Sequence, residues 1–367
     1  MFQKTFLYLK NFDWIIFFPI ILLASFGLIE IYSIALGQET VDLTNFYKQL
    51  LFVGMGLASM IVLTLLDYRV IKDYSKYLYI GGIVLLIGVL MFGSTVRGAT
   101  SWFDLGFFGF QPVEFIKIIL IIFLAKYFSS KQSKAKPWKQ LVLSGVGTMI
   151  LFFLVFLQPD FGSALLLFAV WFFMLAVAGF DKKYFFIIAL IGVVILGFLW
   201  NFSFQDYQKE RIMTFLTPSS NSLEQGYNIS QAIIAVGAGG LVGRGVGFGS
   251  QSQLKFLPEA HNDFIFAVIA EELGLVGVLL VVSFFSIFFF KCLMNVKKLD
   301  NDFGIFFILG GAGLIFIEMF INIGMNIGLL PVVGISLPFI SYGGSAIIAK
   351  FAIIGIMQNI IIKSKIR

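Results

Sequence analysis

Three ionisable side chains alternate where a long polar stretch meets an apolar run: Glu259, His261 and Asp263. A carboxylate at such a boundary between water and lipid is partly shielded from water and can act as a general base. The same segment could instead cap the following helix, through Asn262 or Asp263. A metal site is a third interpretation, although ligands two residues apart match no common metal pattern. The residues alone leave all three interpretations open.

A carboxylate and an ammonium group stand three residues apart in another apolar run, at Glu114 and Lys117. Side chains at this spacing meet on one face of a helix. Gln111 and Pro112 precede the pair, and proline suits the first turn of a helix. The pair should therefore lie near the positive end of the helix dipole. It is either a structural ion pair or a place where an anionic ligand contacts Lys117.

Further ionisable residues fall inside apolar runs, where a charge in contact with lipid is costly. Glu30 and Glu318 have no obvious partner nearby in sequence and are expected to be buried hydrogen-bonding groups or to line a cavity. Lys350 must reach the membrane interface or find an acidic partner. Of the neighbours Glu271 and Glu272, at least one is expected to point into the protein.

Two short motifs complete the candidate chemistry. Gln158, Pro159 and Asp160 fill a tight turn between two apolar runs, and Asp160 is expected to cap the second helix. The stretch 324–345 is rich in Gly and Pro and is predicted to be a broken or re-entrant segment. Such backbone is tolerated at membrane depth only when protein buries it or when it lines a wet cavity.

The composition requires membrane helices to position these residues. Of 367 residues, 59% are apolar and only 13% are charged, and the mean hydropathy is +0.97. A water-soluble globule with so little polar cover is excluded, as are a disordered chain and a secreted disulfide scaffold. Unbroken apolar runs of about 20 residues exclude a transmembrane β-barrel. The sequence predicts an all-α polytopic membrane protein that forms one domain over 1–367.

Ten membrane spans are predicted, with no cleavable signal peptide among them. They are 14–36, 46–66, 77–93, 113–128, 141–158, 161–180, 183–201, 263–291, 304–327 and 340–362. The stretch 202–262 between the seventh and eighth spans is the largest loop, and a loop of that length is usually functional. Within it, 223–236 could form a short amphipathic helix at the interface.

The basic residues orient the chain in the membrane. Eighteen of the 26 Lys and Arg residues lie in one set of alternate loops, six in the other and two inside spans. By the positive-inside rule, the richer set and both termini are cytoplasmic. The large loop and the Asp263 segment are then extracytoplasmic. The net charge of +6 indicates contact with the anionic inner leaflet and not with nucleic acid.

Five stretches together match one bacterial family, in the family's order and over nearly the whole chain. They are 98–106, 111–117, 158–164, 257–274 and 324–345. On these stretches the chain resembles the SEDS proteins (shape, elongation, division and sporulation), whose members include RodA and FtsW. Residues 226–229, 250–254 and 270–272 are closer to RodA, whereas 259–261 are closer to FtsW. Ser101, Val113 and Asn262 depart from the usual family residues.

The resemblance implies a peptidoglycan glycosyltransferase that polymerises lipid II into glycan strands during cell elongation, in the bacterial cytoplasmic membrane and on its outer face. Asp263 matches the family's catalytic acid and would be the general base of an inverting transfer, with undecaprenyl pyrophosphate as the leaving group. The candidate substrate-binding residues are Glu114, Lys117, Asp160, Arg211, Arg244, His261 and Ser341. Among them, Lys117, Arg211 and Arg244 are candidate cations for the pyrophosphate.

The expected partners follow from the same resemblance. They are lipid II, a class B penicillin-binding protein that cross-links the product, and other membrane proteins of the elongation complex. No cofactor and no protein-held metal are predicted, while a divalent cation (Mg²⁺ or Mn²⁺) carried mainly by the pyrophosphate stays open. Alternatives are a flippase or other transporter of a lipid-linked precursor, an FtsW-type division polymerase, and a noncatalytic scaffold.

Overall fold

The computed structural model describes residues 8, 10–36, 41–96, 98–104, 106, 108–130, 136–202, 225–254, 256–257 and 259–366. Its longer helices are α1 (Trp14–Leu36), α2 (Thr44–Leu65), α4 (Ser75–Phe92), α5 (Pro112–Ser129), α6 (Pro137–Phe156), α7 (Phe161–Val177), α8 (Lys182–Phe202), α9 (Gln225–Ala238), α11 (Ile265–Val296), α12 (Asp302–Asn326) and α13 (Gly344–Ile366). The short elements are α3 (Tyr68–Asp73), α10 (Ser250–Gln253), β1 (Ser94–Val96), β2 (Ala99–Asp104) and β3 (Gly109–Phe110).

Helices occupy all ten positions at which the sequence predicts spans, and the predicted all-α fold class is confirmed. Within the described residues, seven helices are long and apolar enough to cross a membrane: α1, α2, α4, α6, α11, α12 and α13. Helix α7 is apolar but shorter. A helix hydrogen-bonds its own backbone N–H and C=O groups, as a segment that crosses the hydrocarbon of a bilayer must. The count of ten spans stays a prediction.

Helix α13 lies at the centre of the bundle, packed against α2, α5 and α12. Because it is almost wholly buried, its polar side chains need partners within the protein. Gln358 exchanges two hydrogen bonds with the backbone of Asp13, at 3.0 and 2.9 Å. Asn359 accepts from the Tyr68 amide at 2.9 Å and donates to the Thr64 carbonyl at 2.6 Å. These bonds fix the end of the bundle that carries Asp13.

The opposite end carries the candidate chemistry and is called the loop end. It comprises the three-stranded antiparallel sheet, the first turns of α5, α7, α11 and α13, and the segment 327–343. The sheet order is β1-β2-β3, with Ser94 opposite Trp102 and Phe103 opposite Phe110. The sheet leads directly into the first turn of α5.

The segment 327–343 forms no helix or strand, as predicted for a broken or re-entrant stretch. Leu337, Ile340 and Ser341 within it are buried. Helix α1 approaches this segment so closely that a Cβ on Gly27 would collide with the carbonyl oxygen of Ile340. The irregular backbone is therefore enclosed by protein, the condition under which it is tolerated in a membrane.

Helix α11 is broken at Gly274, where φ is 64° and ψ is −160°. A break of this kind leaves backbone groups on both sides without helical hydrogen bonds. The glycine-rich loop between α9 and α10 (239–249) pairs with them. Arg244 and Gly245 donate their amides to the carbonyls of Glu271 and Glu272, at 3.0 and 2.9 Å; Leu275 and Val276 donate theirs to the carbonyls of Gly240 and Leu241, at 3.0 and 3.2 Å. A break inside the predicted span 263–291 was not expected from the sequence.

Candidate active site

Asp263 lies at the loop end, in the turn before α11, and is partly exposed. Its backbone carbonyl accepts two hydrogen bonds from α12, from Asn322 Nδ2 and Asn326 Nδ2, each at 3.0 Å. Asn326 Oδ1 also accepts from the Ala267 amide at 3.2 Å. Both asparagines are fully buried and stand one turn apart on the same face of α12. Helix α12 therefore fixes the position of Asp263.

The start of α11 corrects one interpretation of the sequence. The helix begins at Ile265, and its N-cap residue Phe264 gives no side-chain bond. Asn262 donates its carboxamide to Glu259 Oε2 at 2.7 Å, and its Oδ1 has no hydrogen-bond partner among the described residues. The suggestion that Asn262 caps this helix is therefore wrong. Asn326 supplies a bond to the first turn instead.

Ser341 holds the same turn from the segment 327–343. Its hydroxyl donates to the carbonyl of Asn262 at 2.6 Å and accepts from the Leu337 amide at 2.8 Å. The neighbouring Tyr342 donates its amide to the carbonyl of His261 at 2.9 Å. The rings of His261 and Tyr342 meet edge to face, with centroids 5.6 Å apart. Ser341 is buried, and these bonds make it a support for the Asp263 turn.

The carboxyl group of Asp263 faces the backbone at Gly334. A Cβ built on Gly334 would lie 3.7 Å from Asp263 Oδ2. The preceding residue, Val333, packs on the first turn of α7, because a Cβ on Gly162 would collide with its carbonyl oxygen. The space beside Asp263 is thus bordered by residues 333–334 and, behind them, by the amino end of α7.

Asp160 caps α7, as the sequence predicts. Its carboxylate accepts from the Ser163 amide at 3.0 Å and from the Ser163 hydroxyl at 2.8 Å. Gln111 Nε2 approaches the same carboxylate at 3.4 Å, and the Gln111 amide donates to Ser345 Oγ at 2.9 Å. The amino ends of α5, α7 and α13 are thereby joined. Helix amino ends carry positive partial charge and favour anions.

Four buried charged side chains form one cluster between α5, α12 and α13. Lys117 Nζ lies 2.6 Å from Glu114 and 2.7 Å from Glu318, and Lys350 Nζ lies 2.9 and 3.0 Å from the same two acids. The cluster carries equal numbers of acids and bases, which is how charges are tolerated in a low-dielectric interior. Lys350 is thus paired with two acidic side chains inside the protein. The structural interpretation of the Glu114–Lys117 pair fits this geometry, because Lys117 is only 2% exposed.

Of the remaining candidate cations, the structure describes Arg244 and not Arg211. Arg244 is exposed on the glycine-rich loop and donates to Ser250 Oγ at 2.8 Å and to the Ala238 carbonyl at 3.4 Å. Arg211 lies outside the described residues. Ser101 is buried in β2. Among the residues that the structure describes, no three His, Cys, Asp or Glu side chains are arranged to hold a metal ion.

Sequence reasoning missed the two asparagines that hold Asp263. Glu318, Asn322 and Asn326 are spaced four residues apart, so one face of the apolar helix α12 is polar over three successive positions. That spacing is the signal that could have identified them. The same face joins the buried charge cluster, at Glu318, to the backbone of Asp263.

A bundle of membrane helices that fixes one partly exposed carboxyl group at its loop end defines a polytopic membrane protein with a candidate acid–base site. The chain belongs to the FTSW_RODA_SPOVE family of cell cycle proteins, which it matches over residues 13–366.

Named relatives cover most of the chain. The peptidoglycan glycosyltransferase MrdB of Escherichia coli (strain K12) is 39% identical over 311 residues, covering 84% of this chain and 83% of the relative. The stage V sporulation protein E of Bacillus subtilis (strain 168) is 36% identical over 349 residues, covering 93% of this chain and 94% of the relative.

Solved structures share the fold. A chain from a peptidoglycan synthase complex that coordinates polymerization and crosslinking superposes with a TM-score of 0.82 at 27% identity, over 96% of this chain and 98% of that chain. The rod shape determining protein RodA of Thermus thermophilus superposes with a TM-score of 0.72 at 27% identity, over 95% and 96% of the two chains.

Proposed function

We propose that this chain is a peptidoglycan glycosyltransferase that polymerises lipid II during cell elongation, on the outer face of the bacterial cytoplasmic membrane. Family membership and the name of the Escherichia coli relative support the reaction class. The proposed active site rests on the placement of Asp263. Its carboxyl group is partly exposed at the loop end, and its backbone carbonyl is hydrogen-bonded to Asn322 and Asn326.

Asp263 acts as the general base. The acceptor sugar hydroxyl attacks the anomeric carbon of the donor and transfers its proton to the Asp263 carboxylate. The new glycosidic bond forms as the bond to the pyrophosphate oxygen breaks, and the configuration at that carbon inverts. One carboxylate is sufficient, because pyrophosphate leaves without a strong acid. A base must be held within hydrogen-bond reach of its proton, and the two asparagines provide that rigidity.

The pyrophosphate is held by the backbone dipoles at the joined amino ends of α5 and α7. Arg244, which is exposed on the glycine-rich loop, and Arg211 are the candidate side-chain cations. Asp160, His261 and Ser341 shape the donor site through the cap and the backbone bonds described above. Glu114 and Lys117 hold its inner wall as part of the neutral cluster. A divalent cation bound by the pyrophosphate itself would add further neutralisation.

The partners proposed are a class B penicillin-binding protein, which cross-links the glycan, and other membrane proteins of the elongation complex. The similarity to a chain of a synthase complex that coordinates polymerization and crosslinking supports the first of these. The bias of Lys and Arg toward one set of loops supports cytoplasmic termini and an extracytoplasmic Asp263.

A transporter of a lipid-linked precursor is the second candidate, because broken membrane helices commonly form transport sites. The break in α11 at Gly274 is such a feature. The two functions differ in their product. A transporter moves lipid II between leaflets and forms no polymer, whereas a polymerase makes glycan strands in detergent, where no leaflets exist.

The test is glycan synthesis from labelled lipid II by the purified protein in detergent, with and without a class B penicillin-binding protein. We expect wild type to form polymer and Asp263→Asn to reduce its initial rate by about 10²-fold or more, the scale of a lost general base. Asp302→Asn, an exposed acid in the first turn of α12, is the matched control. Polymer made by Asp263→Asn at the wild-type rate would refute Asp263 as the base. Leaflet transfer without polymer would favour the transporter.

A further inference from the structure

Three buried acids meet beside the break in α11, away from the Asp263 turn. Glu271 and Glu272 lie on α11, three and two residues before the break at Gly274, and Glu30 lies on α1. All three are completely buried. No ion pair between described residues includes any of them. An unpaired carboxylate in such an interior is very costly, so some of this charge must be neutralised.

Two of the acids have hydrogen-bond donors. Glu271 accepts from the amides of Gln251 and Ser252, at 2.8 and 3.1 Å. Glu272 accepts from the Ser33 hydroxyl at 2.7 Å and from Gln253 Nε2 at 3.0 Å. Hydrogen-bond donors thus reach the carboxyl groups of both Glu271 and Glu272.

Glu30 differs from both, because neither of its carboxyl oxygens has a hydrogen-bond donor among the described residues. It interacts with Glu272 across the α1–α11 contact, and it shares a face of α1 with Ser33, three residues later. A protonated Glu30 would have a hydroxyl hydrogen to donate and would remove one charge. An ionised Glu30 would place a second carboxylate against Glu272, and no cation among the described side chains bonds to either.

We propose that Glu30 is a positioning residue held as a neutral carboxylic acid, which donates its proton in a hydrogen bond to Glu272. The bond fastens α1 to the break in α11. Glu272 also binds Gln253 of α10, and the chain from α10 leads within ten residues to Asp263. Leu257, Ala260 and Phe264 of that stretch pack in a small apolar cluster that Ile34 of α1 also contacts. The acid pair thereby fixes the segment that enters the candidate site.

Within the described part of the chain, the charged groups around the pair are Glu271, on the same helix as Glu272, and Arg244, which reaches Glu271 through Ser250. Arg244 Nη1 donates to Ser250 Oγ at 2.8 Å, and that hydroxyl lies 3.4 Å from Glu271 Oε1. Arg244 is thus linked to Glu271 through the Ser250 hydroxyl, and not to the Glu30–Glu272 pair. The proton that we assign to Glu30 is the neutralising charge for the Glu30–Glu272 pair.

The first test is infrared spectroscopy of the purified full-length protein in light and heavy water. We expect a protonated-carboxyl C=O band that shifts on deuteration in wild type and is absent in Glu30→Gln. This readout is independent of glycan synthesis, so it stands even if the proposed function fails. The overturning results are a wild-type spectrum with no band assignable to Glu30, or a melting temperature that Mg²⁺ or Na⁺ raises in wild type but not in Glu30→Gln. The latter would mean that a cation occupies the place of the proton.

The second test, which rests on the proposed function, compares replacements of Glu30. Glu30→Gln carries a neutral donor and should keep the polymerisation rate within about twofold of wild type. Glu30→Leu leaves Glu272 without that donor and should lower the rate by about tenfold or more. Raising the pH should lower the melting temperature of wild type relative to Glu30→Gln, because two facing carboxylates repel. Ile29→Leu, at an exposed position of α1, is the control. Wild-type activity in Glu30→Leu, or identical pH profiles for wild type and Glu30→Gln, would overturn the proposal.

Discussion

The carboxamide of Asn326 lies 3.0 Å from the backbone carbonyl of Asp263, 63 residues away in sequence, and donates a hydrogen bond to it. The same side chain accepts from the Ala267 amide at 3.2 Å. One residue of α12 thus fixes both the candidate base and the first turn of α11. The position of Asp263 depends on how these two helices pack together, and not on the turn alone.

Replacing Asn326 by Leu should therefore damage the reaction more than the fold. The substitution leaves the Asp263 carbonyl with one donor where it had two and removes the acceptor for Ala267. Losing a buried hydrogen bond costs about 1–3 kcal/mol, and a displacement of about 1 Å at a catalytic group can cost about 10²-fold in rate. We expect the initial rate of glycan synthesis to fall by about tenfold or more, with a modest loss in melting temperature.

Phe320→Leu, on an exposed face of the same helix, is the control for Asn326→Leu. It should leave the rate and the melting temperature unchanged. A wild-type rate in Asn326→Leu would show that the Asn322 bond, also at 3.0 Å, is sufficient to hold Asp263.

Local pattern was sufficient to predict most of the fold. Runs of about 20 apolar residues mark the helices because lipid leaves few other backbone conformations available, and α1 coincides with its predicted span 14–36. The cap at Asp160 was predictable because its partner, Ser163, is three residues away. What the sequence could not supply was long-range partnership. The pairing of Lys350 with Glu114 spans 236 residues, and nothing in either local sequence indicates it.

The buried cluster makes a clear prediction about charge balance. Lys350→Met removes one of two cations and leaves Glu114 and Glu318 to share Lys117. Breaking a buried pair by removing one partner costs about 3–5 kcal/mol. The double variant Lys350→Met with Glu318→Gln restores neutrality and keeps the Lys117–Glu114 pair, which lies at 2.6 Å. We expect thermal unfolding in detergent to show a large loss for the single variant and recovery of most of it in the double variant.

An exposed pair provides the comparison for the buried cluster. Lys183 and Asp181 are 3.1 Å apart with side chains 64% and 66% exposed. Lys183→Met should leave thermal unfolding close to that of wild type, since water screens such exposed pairs. Equal losses in Lys350→Met and Lys183→Met, or additive losses in the double variant, would contradict the coupled cluster.

The break in α11 should not tolerate a side chain at Gly274. Its φ of 64° disfavours any residue with a Cβ, and that Cβ would collide with the amide nitrogen of Gly243. Gly274→Ala should therefore push the glycine-rich loop away from the backbone of α11. The carbonyls of Glu271 and Glu272 would then lose the hydrogen bonds that the loop donates to them. We expect a lower melting temperature and faster hydrogen exchange at the Arg244 and Gly245 amides. Gly237→Ala, which meets no atom within 4 Å, is the control, and a similar effect of both variants would be evidence against this local mechanism.

Two substitutions of Asp160 distinguish a helix-capping role from direct contact with the substrate. Its carboxylate accepts the Ser163 amide and hydroxyl at 3.0 and 2.8 Å, and asparagine caps a helix about as well as aspartate. Asp160→Asn should therefore keep both stability and the rate of glycan synthesis. Asp160→Ala should lose about 1 kcal/mol of stability and part of the rate, because the amino end of α7 borders the segment that faces Asp263. A large rate loss in Asp160→Asn at unchanged melting temperature would instead mean that the Asp160 charge acts on the substrate or on a cation bound with it. Measuring rate and thermal unfolding on the same preparations distinguishes these two outcomes.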